Sequence, residues 1–199
     1  MGAAQAELAP LQTVPSVDLP RYMGTWYEIA KYPNWFQKKC ASSTQATYTL
    51  QANGQVQVLN RCKTDKGEWS EALGAARQIG GPTSPQLKVR FAPEWLSFIP
   101  LVWGDYWIID LDPGYQWVVV SEPQREYLWI LSRTPQMPVA TYQALLGKLF
   151  SLGGQFAKLV PTTADLAEEA AEAAEELRKL EEELGAGVGG LLEGLLGGN

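Results

Sequence analysis

"TQATYTLQANGQVQVLNRCK", residues Thr44 to Lys63, holds two alternating runs around one turn signal. Tyr48 and Leu50 alternate with Thr47 and Thr49, and Val56 and Val58 alternate with Gln55 and Gln57. That period of two is the mark of half-buried strands. Asn53-Gly54 supplies the backbone freedom that a two-residue hairpin turn requires. In that register Ala52 faces Gln55 and Cys62 faces Gln45. The stretch reads as a β-hairpin, and its flanks decide what sheet it joins.

Outward from the hairpin the same grammar repeats. Further β-type runs occupy Trp26–Tyr32, Glu68–Ile79, Gln86–Phe91, Asp105–Leu111, Gln116–Ser121 and Tyr127–Arg133. Breaks carry Asp65-Lys66-Gly67, Gly80-Gly81-Pro82, Asp112-Pro113-Gly114 and Glu122-Pro123. Short strands at close spacing with hairpin-length connections predict an all-β sandwich or barrel. An eight-stranded antiparallel up-and-down β-barrel encloses room for side chains or one small ligand. Runs such as "WVVV" are apolar on both faces, so something must cover their outside. The helical pattern of about residues 138–152, with Tyr142, Leu145, Leu146, Leu149 and Leu152 on one stripe, supplies that cover.

Composition excludes several function classes. The chain contains no histidine, which removes Ser-His-Asp and Cys-His catalysis, His-ligated haem and most catalytic zinc sites. No metal or other cofactor is expected. Of the net charge of −6, the segment from Thr162 onward holds −8, leaving a near-neutral body without a nucleic-acid footprint. "MGAAQAELAPLQ" shows no basic region followed by an apolar one, so no signal peptide is expected, and Ala6 breaks the myristoylation pattern. The domain reading is a lead over 1–20, a barrel with its packed helix over 21–161, and a tail over 162–199. "GAGVGG" after Leu184 matches G-x-G-x-x-G in letters only, since it follows a helical pattern and not a strand.

Two cysteines, Cys40 and Cys62, allow one pairing. Joining them closes a loop of roughly twenty residues, worth about 3 kcal/mol. An ideal strand places Cys40 about 16 Å beyond the residue opposite Cys62, outside disulfide reach. A bond therefore needs the chain before the strand to double back, and free thiols are the alternative.

"GTWYEIAKYP" (Gly24 to Pro33) resembles the Gly-x-Trp signature of the lipocalins. "DLDPGYQW" (Asp110 to Trp117) and "YLWILSRTP" (Tyr127 to Pro135) are similar to later signatures of the bacterial lipocalin and apolipoprotein D branch. The resemblance spans roughly Val14 to Pro161. It implies that Gly24 and Trp26 belong to the closed end, where Arg133 packs across the indole as a cation–π pair. It also implies a calyx for a small hydrophobic or amphipathic ligand, fatty acids or lysophospholipids in bacterial members. A periplasmic, outer-membrane or secreted location follows from the same resemblance, although no lipidation cysteine stands near the start.

With Trp26 inward, alternation puts Glu28, Ala30 and Tyr32 inward on the first strand. The next strands bring Ala46, Tyr48 and Leu50, then Val56, Val58 and Asn60. Tyr106 or Trp107, Trp117 and Trp129 follow on later strands. Glu28 needs a partner or a proton if buried, and Arg61, Arg77 and Arg90 are the candidates. "APEWLSFIPLVW" (Ala92 to Trp103) falls in the fifth loop, at the open mouth, where Trp95, Leu96, Phe98, Ile99, Leu101 and Trp103 form an apolar lip. Such a lip serves peripheral membrane contact, a hydrophobic ligand or a partner, or else folds inward as a dry lid.

The tail differs in kind. Leu166, Ala170, Ala173, Leu177, Leu180 and Leu184 follow a heptad seam, with Val188, Leu191 and Leu195 in register beyond glycines. Its Ala/Glu/Leu content resembles a designed segment, one that would support self-association or a partner helix. Ligand binding without catalysis is the leading reading. An engineered lipocalin scaffold with a tail-mediated protein interface, and a catalytic lipocalin, are the other two.

Overall fold

The computed structural model describes residues 10–151 and 158–172, together with residues 175 and 179. The chain divides into two compact units, Met1–Thr163 and Ala164–Asn199. In the first, eight strands run antiparallel in sequence order: β1 (Gly24–Lys31), β2 (Ser42–Leu50), β3 (Val56–Lys63), β4 (Trp69–Gln78), β5 (Gln86–Arg90), β6 (Gly104–Leu111), β7 (Trp117–Ser121) and β8 (Leu128–Ser132). β8 returns to β1, and β1 also pairs β2, so the sheet closes into a barrel. The β1–β2 seam holds only over Gly24–Tyr27. Above it the short β9 (Val160–Pro161) occupies the edge of β1 at Ala30 and Lys31.

The hairpin corrects one register. Gln51 donates to the Gln55 carbonyl at 2.8 Å and Gly54 to the Gln51 carbonyl at 2.9 Å, enclosing three residues, Ala52 to Gly54, with Gly54 at φ 81°. This is the three-residue turn closed by a left-handed glycine, not the two-residue turn expected. Cys62 accordingly does not face Gln45, which pairs Arg61, while Tyr48 pairs Val58. An odd-length turn is what lets the even-numbered residues of both strands share the inner face.

Bulges do similar work elsewhere. The pairing of β2 with β3 slips by one residue between Ser42 and Gln45, where Ser43 adopts φ 55°. Before the strand, Ala41 donates to the Lys63 carbonyl and Cys40 to the Gln37 carbonyl, a turn that doubles the chain back. It brings Cys40 and Cys62 to a Cα separation of 5.5 Å, and they form the disulfide.

A four-residue helix, α1 (Leu19–Tyr22), capped by the Asp18 side chain, seals one end. The lead is pinned beneath the barrel by Val14 donating to Ile108 and Val17 donating to Thr83. Trp26 is wholly buried and donates from Nε1 to the Tyr22 carbonyl at 2.9 Å. The Arg133 guanidinium lies 3.8 Å over its ring and donates to the carbonyls of Arg21, Thr25 and Tyr115. Gly24, at φ 96°, leaves no room for more, because a Cβ there would meet Arg133 at 3.3 Å.

The second helix, α2 (Val139–Ser151), buries Tyr142, Leu145 and Leu149 and is tied to the wall by Lys148 to Asp110 at 2.9 Å. Leu146 is half-buried, and Leu152 lies outside the described residues. Among the described residues no helix is long and apolar enough to cross a membrane. In the second unit residues 164–172 are helical. Ala173, Leu177, Leu180, Leu184, Val188, Leu191 and Leu195, on which the seam and its role as an interface depend, lie outside the described residues.

Candidate functional site

The barrel encloses a cavity of about 810 Å³, open at the end away from Trp26. Its floor is Tyr22, Met23, Tyr48 and Tyr106, and its shaft is Val56, Val58, Ala76, Leu87, Val89 and Leu131. These belong to one continuous apolar cluster with Trp26 and Ile108. Polar side chains gather towards the mouth, where Glu28, Gln37 and Asn60 line the wall.

Glu28 is buried, and its partner is none of the expected arginines. Lys31 reaches Glu28 Oε1 at 2.8 Å, its own side chain 14% exposed against 2% for the glutamate. A bulge arranges this. The pairing of β1 with β8 slips between Glu28 and Ala30, so Glu28 faces Leu131 while Lys31 faces Trp129. Both Leu131 and Trp129 look inward, which puts Glu28 and Lys31 on the inner face despite their odd spacing. Ala30, expected inward, pairs Ile130 and points outward, buried beneath the cover of the barrel. Tyr32 is buried as well but lies outside the cavity lining.

The later aromatics divide by register. Leu87 pairs Tyr106 and Gln86 pairs Trp107, so Tyr106 enters the cavity and Trp107, its alternative, faces out. Trp117 also faces out, contrary to expectation: it pairs Ser132 and receives Lys148 of α2 at 5.6 Å over its ring. Trp129 does line the cavity, and the outward positions on both sides of it, Leu128 and Ile130, are buried by the surrounding chain.

The mouth is shaped by two loops. In the first, residues 32–41, Trp35–Gln37 form a single 3-10 turn capped by Asn34. Gln37 holds this loop across the opening, donating to Glu28 Oε2 at 2.7 Å and accepting from Trp129 Nε1 at 3.1 Å. Phe36 packs against Tyr127 and Trp129, which stack on each other. Sequence reasoning passed over Trp35, Phe36 and Gln37, although an aromatic pair after Pro33-Asn34 was a visible signal.

The second is the loop between β5 and β6. Trp95, Phe98 and Leu101 are 72%, 78% and 93% exposed, while Leu96 and Ile99 are half-buried. Trp103 is not part of this exposed lip. It is buried, with Nε1 donating to the Ser97 carbonyl at 2.8 Å and Arg77 and Arg90 stacked over its ring at 4.4 and 5.2 Å. Trp103 is thus the anchor that leaves the tip of the loop standing outward. Phe91 lies across Gly74, where a Cβ would come within 2.7 Å of its ring.

The three floor tyrosines are linked through Tyr106, whose hydroxyl lies 2.7 Å from Tyr22 Oη and 3.0 Å from Tyr48 Oη. Burial raises all three phenols well above their ordinary value, so they hold their protons. Among the described residues no cluster of Cys, Asp and Glu side chains could hold a metal ion.

A family model described as a lipocalin-like domain matches residues 17–164. The chain is 42% identical over 159 residues to temperature-induced lipocalin-1 of Arabidopsis thaliana, covering 78% of this chain and 84% of that protein. It is 37% identical over 148 residues to the outer membrane lipoprotein Blc of Escherichia coli K12, covering 74% and 79%. Apolipoprotein D of Mus musculus is 33% identical over 156 residues, covering 75% and 77%. Among solved structures, insecticyanin from the tobacco hornworm Manduca sexta superimposes with a TM-score of 0.60 at 17% identity, covering 79% of this chain and 86% of that one.

Proposed function

Because the chain belongs to the lipocalin family, whose barrels hold small hydrophobic ligands, we propose that it binds and carries an amphipathic lipid of the fatty-acid or lysophospholipid kind. The acyl chain fills the shaft and the headgroup rests at the mouth. The observation that carries this reading is the division of the cavity, apolar from Tyr48 to Leu131 and polar at Glu28, Gln37 and Asn60. Its volume falls within the range of small-molecule sites. The role is carriage without turnover, since the chain has no histidine and the two buried carboxylates that line the cavity are engaged, Glu28 by Lys31 and Gln37 and Glu122 by the backbone amides of Gln124, Glu126 and Tyr127.

The exposed tip of the loop between β5 and β6 supports a second element, contact with a membrane from which the lipid is taken or to which it is given. Trp95, Phe98 and Leu101 present large apolar area at the open end, and an exposed patch of this kind marks an interaction surface. The disulfide suits an oxidising compartment, in keeping with a periplasmic or extracellular setting. The name of the Escherichia coli relative places that protein at the outer membrane.

Titration of delipidated protein with fatty acids and lysophosphatidylcholine tests the first element. Saturable quenching of tryptophan emission is expected, with lipid recovered by native mass spectrometry. Absence of quenching and of co-purifying lipid would overturn it. Serine at Trp95, Phe98 and Ile99 tests the second. Liposome association should fall while affinity for dissolved lipid holds. A loss of affinity alone would make the loop a lid.

A further inference from the structure

The floor of the cavity holds something that a plain acyl chain leaves unused. Tyr22 comes from α1, Tyr48 from β2 and Tyr106 from β6, and all three line the cavity. Their hydroxyls form an open chain with Tyr106 at the centre. Among the described residues these oxygens have no other hydrogen-bond partner.

A count of protons follows from the geometry. Each phenol brings one O–H donor, so three donors meet two hydrogen bonds. Whichever way the hydrogens point, one O–H is left over. Tyr106 can donate to one neighbour and accept from the other, leaving the terminal acceptor with its own proton free. Alternatively both neighbours donate to Tyr106, and its own proton is free. Val56, Val58, Leu87 and Met23 belong to the same apolar cluster as the three rings, and among the described residues the hydroxyls bond only to one another. A buried donor without a partner is costly, and burial keeps these phenols protonated across the physiological range.

We infer that the floor is a hydrogen-bonding subsite for the deep end of the ligand, which bears an acceptor oxygen (hydroxyl, keto or ether) where a simple fatty acid has a methyl group. The inference rests on the lipid-binding reading above and narrows it: the preferred cargo is polar at both ends, one end at Glu28 and Gln37 and the other at the tyrosines. A terminal methyl in the same place buries equally well but leaves the donor unmet.

The test compares dodecanoic, tetradecanoic and hexadecanoic acids with their ω-hydroxy counterparts by tryptophan quenching, on the full chain and on the variant Y22F/Y48F/Y106F. The full chain should bind the best-fitting ω-hydroxy acid about fivefold more tightly than its parent, the factor one net hydrogen bond brings. The triple variant should lose that preference or reverse it, because a buried hydroxyl then lacks a partner. Tyr106→Phe alone separates the two end hydroxyls and leaves two unmet donors, so the preference should persist or grow. That outcome keeps the test alive if the triple variant does not fold. Equal affinity for both series at every chain length in the full chain would overturn the subsite and leave the lipid reading standing. Failure of both series to bind would overturn both.

Discussion

Replacing Lys31 by methionine removes the cation that pairs with Glu28 and keeps most of its length. The pair it breaks is close, 2.8 Å from Nζ to Oε1, and nearly dry, with Glu28 2% exposed and Lys31 14%. Removing one partner of a buried pair costs about 3–5 kcal/mol, because the remaining charge is left uncompensated. Gln37 still donates to the other carboxylate oxygen at 2.7 Å, which places the loss at the lower end, about 3 kcal/mol. For a chain of this length that lowers the melting temperature by roughly 6–12 °C. The pair Glu28→Gln and Lys31→Met together removes both charges in near-isosteric form and should recover most of the loss, since apolar or neutral replacement of a buried pair is often nearly neutral. Thermal unfolding by circular dichroism of the parent, Glu28→Gln, Lys31→Met and the double variant closes the cycle. A Lys31→Met variant melting within a degree or two of the parent, or a double variant less stable than Lys31→Met, would refute the argument that the bulge in β1 builds a buried ion pair.

Other expectations follow from the same geometry. Serine at Cys40 and Cys62 should cost about 3 kcal/mol, the loop-closure entropy of the twenty-two-residue separation, read as a lower urea midpoint that reductant no longer affects. Gly74→Ala should cost about 1–3 kcal/mol through overpacking, because the added Cβ meets the Arg90 carbonyl at 2.6 Å and the Phe91 ring at 2.7 Å. Its signature is a changed ligand affinity as Phe91 is displaced, measured by quenching. Arg133→Met removes a cation–π contact and three carbonyl partners at the closed end, so the melting temperature should drop while lipid affinity in the surviving folded protein holds. In alkali, the folded chain keeps the protons of Tyr22, Tyr48 and Tyr106 after the unfolded chain has begun to lose its own. Stability is therefore full below about pH 10 and falls as pH rises beyond it. Phenylalanine at all three positions should flatten that fall, leaving a smaller slope from Tyr142, whose phenol burial pushes up to about 12.

The fold was legible because alternation and turn residues repeat so regularly: each strand begins and ends within about two residues of the run that announced it. The site was less so, and the reason is local. Strict alternation sends Ala30 inward, yet one extra residue near Ile29 turns Ala30 out and brings Lys31 in, while "WVVV", apolar on both faces, gives Trp117 no alternation to follow. A second slip, between Ile108 and Asp110, turns Asp110 towards Lys148. Neither bulge has a glycine or proline to mark it, since the residues there are apolar and suit a strand on either face. The pairing of Trp107 with Gln86 could not be read either, because "DYWIID" is apolar on both sides. By contrast Tyr48, Val58 and Asn60, on strands with clean alternation, line the cavity as their pattern says. The partner of Glu28 was missed for the same reason the face of Lys31 was: a contact three residues away on a strand exists only where the pleat is broken.

The three-residue turn at Ala52 to Gly54 is closed by Gln51 and Gln55, so its own length is free to change over evolutionary time. A residue lost or gained inside it leaves Gln51 facing Gln55 and Tyr48 facing Val58. A residue lost or gained within β2 or β3 instead moves every partner beyond it by one and turns inner side chains outward, unless a bulge absorbs it. Diversification among descendants should thus vary this loop and exchange side chains along the shaft while the strands keep their count.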